Sequence, residues 1–485
     1  MKYLVRLLLL AFLFAGTSHA QTPANASEAP TRRLTASQTE AARSGAPFRT
    51  FTAWLEAFNT GDRERMRQFL ERSWPSDNLD RQMSFREVTS GFELRALEEV
   101  TPTSVTGLVQ ERDSDVFARF NLVVEPAESP QIKSLNLRII PRPADFPIPH
   151  MSESEIITAL RAKLGKETAA DRFAGTVLVA RHGKTLFSGA YGLADREKNL
   201  PNTLDTRFRI GSMNKMFTGT AILQLVQAGK IDLKAPLARY LPDYPNKDLA
   251  SKVTIHQVLT HTGGTGDIFG PQFDAHRLEL RTHNDYLALY GNRELLFEPG
   301  SRWQYSNYGM TLLGAVIEKV SGQSYYDYVA QHVYKPAQMW RSGSEPEDVT
   351  VKGRSIGYMR APDRTWKPNI DTLPYRGTSA GGGYSTVGDL KNFADALLAN
   401  KLLNPEYTQL LITGKVEGGG GKYAYGFDDL RKNGKGSVGH GGGAPGMNGM
   451  LRIFPSSGYV VAVLSNLDPP AAQRISSFLE LRLEN

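Results

Sequence analysis

Arg209-Ile-Gly-Ser-Met-Asn-Lys-Met216 places a serine, Ser212, three residues ahead of a lysine, Lys215. On an α-helix, positions three apart share a face, so the Ser212 hydroxyl and the Lys215 amine come within hydrogen-bond reach. Phe208-Arg-Ile leads into Gly211. From Ser212 the pattern is helical and unusually apolar: Met213, Met216, Phe217, Ala221, Ile222, Leu225 and Val226, with Gly229 as a stop. A helix this apolar is expected to be buried, with Ser212 and Lys215 in its first turn near the positive end of the dipole. A buried lysine is costly unless it is paired or neutral, and a neutral amine is what a base needs to be. No other Ser-x-x-Lys occurs in the sequence. The plain alternative, a polar pair on an exposed helix, does not suit the apolar setting.

The chain has 485 residues, too many for one ordinary domain. Its 40% hydrophobic and 22% charged content is that of a globular protein. A net charge of +7 without a dense Lys/Arg run gives no support to nucleic-acid binding. Lys2 and Arg6, the apolar run Leu7 to Ala15, and Ser18-His-Ala20 before Gln21 read as a signal peptide over residues 1–20. The run is short for a membrane span and no other stretch is long and apolar enough, so no stable membrane insertion is expected after cleavage. The chain has no cysteine. That excludes disulfides, thiol catalysis and zinc–thiolate sites, and an exported chain of this kind fits a bacterial periplasmic or secreted protein.

Residues 21–45 read as a disordered linker rich in Ala, Ser, Thr and Pro. Residues 46–142 read as a small α+β domain. Helical patterns cover Phe48–Asn59 and Arg63–Arg72. Strand-like runs cover Phe85–Val88, Phe92–Val100, Ser104–Gln110, Val116–Val124 and Ile132–Ile139. The stretch from Phe51 to Leu70 resembles the opening of the cone-shaped fold of nuclear transport factor 2 and its relatives. Such domains can be enzymes, but no convincing acid/base pair stands here, so a structural or binding role is expected. Pro141 to Pro149 is a stiff boundary. Residues 152–484 form a larger unit. A helix is expected over Ser152–Gly165, a hairpin from Gly175 turning at His182-Gly183, a second hairpin over Gly449–Phe454 and Gly458–Leu464, and a closing helix over Ala471–Leu483. This is an α+β pattern: an antiparallel sheet shared by both termini of the unit, flanked by helices, with a mostly helical insertion.

Acyl transfer also needs a proton relay and an oxyanion hole. Tyr305-Ser-Asn307 follows Glu298-Pro-Gly-Ser and precedes a core helix, so Tyr305 can reach back to a serine. To act as a base its pKa must fall from about 10, which a cationic Lys215 nearby would bring about. Tyr244-Pro-Asn246 and Tyr290-Gly-Asn292 match the same triplet, but in a proline-bounded loop and at a helix end. Gly439-His440-Gly-Gly442-Gly443 offers a strand edge with exposed N–H donors. His261-Thr-Gly-Gly264 reads instead as a helix C-terminus with a structural role. His256, His261, His276 and His283 are scattered and no His-Glu-x-x-His occurs, so neither a metal nor any other cofactor is expected. Gly377-Thr-Ser379-Ala-Gly381 matches the nucleophile elbow of α/β-hydrolases, with Asp389 or Asp428 and then His440 in the usual order. The elbow requires a preceding strand, and Pro368 to Arg376 does not read as one.

Residues 170–484 resemble the class C β-lactamases, D-alanyl-D-alanine carboxypeptidases, D-aminopeptidases and related esterases. The resemblance rests on five motifs in order: Phe208-Arg-Ile-Gly-Ser-Met-Asn-Lys, Val258-Leu-Thr-His-Thr-Gly-Gly, Glu298-Pro-Gly-Ser with Tyr305-Ser-Asn, Ala380-Gly-Gly-Gly-Tyr-Ser-Thr-Val-Gly-Asp-Leu, and Gly439-His-Gly-Gly. It implies Ser212 as the acylated nucleophile and Lys215 with Tyr305 as general base and acid. It implies Asn307 as a ligand of a substrate amide, and the N–H groups of Ser212 and Gly443 as an oxyanion hole. His440 stands where many members carry lysine. Because histidine is mostly neutral at pH 7, weak β-lactam turnover at best is expected. The expected function is an exported serine hydrolase that acts through an acyl-enzyme on an ester or amide, in a small-molecule, D-amino-acid or peptide substrate. The alternatives are a non-catalytic penicillin-binding-like receptor and an α/β-hydrolase-type esterase using Ser379.

Overall fold

The computed structural model describes residues 33–35, 43–127, 130–361 and 363–484. The signal peptide expected over residues 1–20 lies outside them, as does most of the linker expected over 21–45. The chain forms two compact units, one up to Asp145 and one from Phe146.

Among its described residues the first unit has three helices, Ala46–Thr60, Arg63–Ser73 and Leu79–Thr89. They are followed by a four-stranded antiparallel meander of Phe92–Val100, Ser104–Glu111, Phe117–Val124 and Ile132–Ile140. The third helix replaces the strand expected over Phe85–Val88. Its ends explain the correction: the Asn78 side chain accepts from the Arg81 N–H at the start, and Ser90 closes it in the left-handed conformation. Between these caps Phe85 and Val88 are spaced as one helical face, a spacing that a four-residue window does not separate from a strand. The core is aromatic. Phe51 stacks on Phe120 with centroids 3.8 Å apart, and Trp54, Phe58 and Phe92 extend the cluster.

The second unit is built on an eight-stranded antiparallel sheet. Its spatial order is Val416–Gly418, Gly421–Tyr423, Asp428–Asp429, Val438–Ala444, Met447–Phe454, Tyr459–Ser465, Gly175–Arg181 and Lys184–Tyr191. The last strand in sequence lies beside the first, with Val461 opposite Val179, so the sheet is shared by both ends of the unit. Successive residues face opposite sides. Val177 and Val179 pack with Ile156 and Leu160 of the helix Glu153–Ala169 and with Ile475 and Leu479 of the helix Ala471–Glu480. Leu178 and Ala180 pack on the other side with Met216, Ile222 and the inserted helices. Both faces are therefore covered, and Met447–Phe454 and Tyr459–Ser465 are buried throughout. Among the described residues no helix is long and apolar enough to cross a membrane.

Two local features position the site. A 3₁₀ turn, Gly211–Met213, precedes the helix Asn214–Gln227, which is buried without a break from Asn214 to Leu223. Beside it, the strand Val438–Ala444 pairs on one side with Met447–Phe454. On the other side only Val438 and Gly439 are paired, to Asp429 and Asp428, so from His440 to Ala444 that edge has no strand partner. Glycine in a helix interior costs roughly 1 kcal/mol relative to alanine, yet Gly219 sits in the middle of the buried helix. A Cβ there would stand 2.1 Å from the Tyr425 carbonyl oxygen. Gly219→Ala is therefore expected to destabilise the unit by about 1–3 kcal/mol in urea unfolding, where an exposed helical glycine would gain stability.

Candidate active site

Ser212 lies in the 3₁₀ turn and is part-exposed, whereas Lys215, one turn on, is completely buried. The Lys215 Nζ is 3.2 Å from the Ser212 Oγ, 2.7 Å from the Asn307 Oδ1, and hydrogen-bonded to the Ala380 carbonyl oxygen. The last two partners can only accept. A neutral amine has two hydrogens and one lone pair; the hydrogens go to Asn307 and Ala380, and the lone pair is left for the Ser212 hydroxyl. Burial lowers the Lys215 pKa to about 7, against the opposing pull of the Asp267 carboxylate. The free base is thus well populated at neutral pH, as the apolar setting of the helix suggested.

Tyr305 stands just ahead of the helix Asn307–Ser321, whose Ser306 cap accepts from the Gly309 N–H. Its hydroxyl hydrogen-bonds Ser212, and the Lys215 Nζ lies 4.6 Å from its ring centroid. The expected pKa drop is reversed. Burial of the hydroxyl pushes the Tyr305 pKa up; the Ser212 hydrogen bond pulls against it, and the Asp267 and Asp428 carboxylates push it further up. No permanent cation offsets this, because Lys215 itself is depressed. Tyr305 is therefore a phenol, able to donate a proton, while Lys215 holds the lone pair that a base requires.

Asn307 is the first residue of its helix, and both ends of its side chain are engaged. The Oδ1 takes Lys215, and the Nδ2 donates to Asp267, 3.1 Å from Oδ1 and 3.2 Å from Oδ2. His440 lies on the free strand edge but is only 5% exposed. Its Nδ1 donates to the Gly441 carbonyl and its Nε2 faces the Tyr423 hydroxyl at 3.2 Å. Burial pulls its pKa down, so this position carries a neutral ring rather than a cation. The backbone of Gly442 and Gly443 passes directly over the nucleophile turn. A Cβ on Gly442 would stand 1.9 Å from the Ile210 carbonyl oxygen, and one on Gly211 would stand 3.1 Å from the Gly443 nitrogen. The N–H of Gly443 thereby comes beside the Ser212 turn.

Three contributors carried no readable sequence signal: the Ala380 carbonyl, Asp267 and Tyr423. His261 has the structural place expected of it, just after the helix Ile255–Leu259. The His261 ring packs 4.5 Å from Tyr305 and 4.7 Å from Tyr423, and its Nδ1 accepts from the Ser306 N–H at 3.2 Å. It braces the tyrosine from behind, at a left-handed φ of 59° that ends the preceding helix. The other Tyr-x-Asn tyrosines are structural: the Tyr244 hydroxyl meets that of Tyr308 at 3.0 Å, and Tyr290 donates to the Ile268 carbonyl at 3.0 Å. Among the described residues no three His, Asp or Glu side chains are grouped to hold a metal ion.

Ser379 has partners other than the expected His440 with Asp389 or Asp428. Its Oγ is 3.0 Å from His283 Nε2, and His283 Nδ1 is 3.0 Å from Glu318 Oε1. The order serine–imidazole–carboxylate is that of a hydrolytic triad, yet Ser379 is 0% exposed and its hydroxyl donates to the Met310 carbonyl at 2.8 Å. No substrate can reach it. The set acts as a strut under residues 378–380, whose carbonyls accept from Asn214, Thr218 and Lys215 in turn.

This packing sets two expectations. Ser379→Ala is expected to keep hydrolytic activity while costing about 1–3 kcal/mol of stability, because it strips a buried histidine of a partner. Gly442→Ala is expected to displace the Ile210–Ser212 turn and to lower kcat for ester hydrolysis by roughly 10²-fold, with the fold retained by circular dichroism.

Comparison with known proteins matches this architecture to one family. The family model described as Beta-lactamase matches residues 156–483. Esterase EstB of Burkholderia gladioli is 33% identical over 273 residues, covering 48% of this chain and 68% of its own. The crystal structure of a penicillin-binding protein from Bacillus halodurans superposes with a TM-score of 0.60 at 34% identity, covering 65% of this chain and 98% of that one. A D-stereospecific amidohydrolase from Streptomyces superposes with a TM-score of 0.56 at 28% identity, covering 68% of this chain and 98% of that one. The chain belongs to the β-lactamase family, the mixed α+β fold of serine hydrolases.

Proposed function

We propose that the protein hydrolyses an ester or amide through an acyl-enzyme on Ser212. The observation that carries this reading is the buried Lys215 amine, with two acceptor-only partners and its lone pair left for the Ser212 hydroxyl. Lys215 takes the Ser212 proton as the oxygen attacks the carbonyl carbon. The negative charge that develops on the carbonyl oxygen is received by the Ser212 and Gly443 N–H groups. The phenol of Tyr305 gives its proton to the leaving group and is reprotonated by the Lys215 ammonium, and water releases the acyl group by the reverse sequence. The amine and phenol end each half-reaction in their starting states.

The neutral His440 favours esters and neutral amides over substrates that need a fixed cation for a carboxylate, and so supports at best weak β-lactam turnover. The relatives named as an esterase, a penicillin-binding protein and an amidohydrolase support the same chemistry. In this reading the protein is exported, as the sequence of residues 1–20 suggests. The first unit, which resembles the nuclear transport factor 2 fold over Phe51 to Leu70, serves a structural or binding role and not the chemistry.

Intact-mass labelling with a fluorophosphonate tests the mechanism. Wild type and Ser379→Ala are expected to gain one adduct and Ser212→Ala none; labelling that survives loss of Ser212 and disappears with Ser379 would overturn the assignment. The pH profile is a second check. The active form is the free base, so kcat/KM for p-nitrophenyl acetate is expected to fall about tenfold per pH unit below the Lys215 pKa of about 7 and to level off above it.

A further inference from the structure

The mechanism leaves unused the Asp267 carboxylate, which acts on both Lys215 and Tyr305. Asp267 is part-exposed on the loop that follows the helix Ile255–Leu259. Hydrogen bonds link Ser212 with Lys215, Lys215 with Asn307, and Asn307 with Asp267. An asparagine amide that receives a substrate carbonyl must present its N–H groups. Here that end of Asn307 is turned onto a carboxylate, so this corner of the site offers negatively charged acceptor oxygens instead.

The carboxylate has room for a further donor. A carboxylate provides about four acceptor positions. Among the described residues, Asp267 Oδ1 is taken by the Ile268 N–H at 2.7 Å and by Asn307, whereas Oδ2 is met by Asn307 alone, at 3.2 Å. The Arg293 guanidinium donates to the backbone carbonyl of Asp267, not to its carboxylate. No ion pair to the carboxylate is present among the described residues. Beside it the loop is apolar: Phe269 is 63% and Leu296 is 53% exposed. Leu296 reaches to within 3.7 Å of where a Cβ on Gly266 would stand.

We propose that Asp267, held in place by Asn307, forms a subsite for a protonated primary amine on the acyl side of the substrate, with an apolar side chain resting on Phe269 and Leu296. This rests on Ser212 being the acylated residue. It narrows the substrate class from esters and amides in general to aminoacyl esters and amides with a free amine. An ammonium fits the site because it is a donor only and brings the charge that Asp267 lacks.

The test uses two ligands that differ by the amine alone: leucine p-nitroanilide, as each enantiomer, and 4-methylpentanoyl p-nitroanilide. Affinities are measured by calorimetry at pH 7 on the full chain carrying Ser212→Ala, which binds without turnover. At least one leucine enantiomer is expected to bind about tenfold more tightly than the deamino compound. Adding Asp267→Asn should bring that ratio to about one, and Asp267→Glu should retain part of it. A ratio near one without the Asp267 change, no binding of any of the three ligands, or a ratio that Asp267→Asn leaves unchanged would overturn the subsite. In the last case Asp267 serves only to orient Asn307. Failure of Ser212 as nucleophile is read separately, by fluorophosphonate labelling, so the two outcomes are distinguishable.

Discussion

The second unit is organised around one buried amine. Lys215 is taken out of water at the start of a helix that is itself fully enclosed, and three separate parts of the chain converge on it. Asn307 arrives at the first turn of another helix, Ala380 on a loop propped from beneath by Ser379 and His283, and Ser212 on the turn that begins the lysine's own helix. Desolvation disfavours the ammonium by several kcal/mol when nothing offsets it. The Asp267 carboxylate, one residue removed through Asn307, offsets part of that cost. The balance leaves the amine near the midpoint of its titration at neutral pH, where a base is most useful. The covered sheet, the glycine contact at Gly219 and the strut beneath residues 378–380 all hold that balance in place.

Much of this was legible in the sequence, because it depends on local periodicity. The spacing of Ser212 and Lys215 places both on one face of any helix, and the apolar run after them marks that helix as buried. The paired hairpins at Gly175 and Gly449 carry strand alternation and turn residues, which is why the antiparallel sheet shared by both termini could be anticipated. Tyr305 could be separated from Tyr244 and Tyr290 by its place ahead of a core helix, where they sit in a proline-bounded loop and at a helix end. The helix Leu79–Thr89 was harder to read, because its identity rests on the caps at Asn78 and Ser90 rather than on its apolar residues.

What sequence could not show is carried by tertiary contacts. The Ala380 carbonyl is a backbone atom, and every residue has one. Asp267 is a loop aspartate until the fold brings it to Asn307, more than a helix away in sequence. Ser379 carried a nucleophile's motif and proved to be buried, with His283 and Glu318 supplied by elements that no short pattern links. The Tyr305 pKa went opposite to expectation for the same reason: burial of its own hydroxyl, which only the tertiary fold sets, pushes it up. Fully buried and engaged on both ring nitrogens, His440 likewise could not be told from a solvent-facing histidine by its glycine-rich surroundings.

The distribution of charge in the site comes from these placements. The lysine is only partly protonated at neutral pH, the tyrosine is a phenol and the histidine is neutral, so the lasting charges that act on Tyr305 are negative, from Asp267 and Asp428. Whether Lys215 is neutral decides every role assigned around it. The direct measurement is a titration of the lysine side chains by ¹³C NMR, with ¹³Cε-labelled lysine in wild type and in Lys215→Arg. One lysine resonance should titrate with a midpoint near pH 7 and be absent from the variant. A wild-type spectrum in which the resonance removed by Lys215→Arg titrates only near pH 10 or above would contradict the account, since Lys215 would then be a permanent cation and could not be the base.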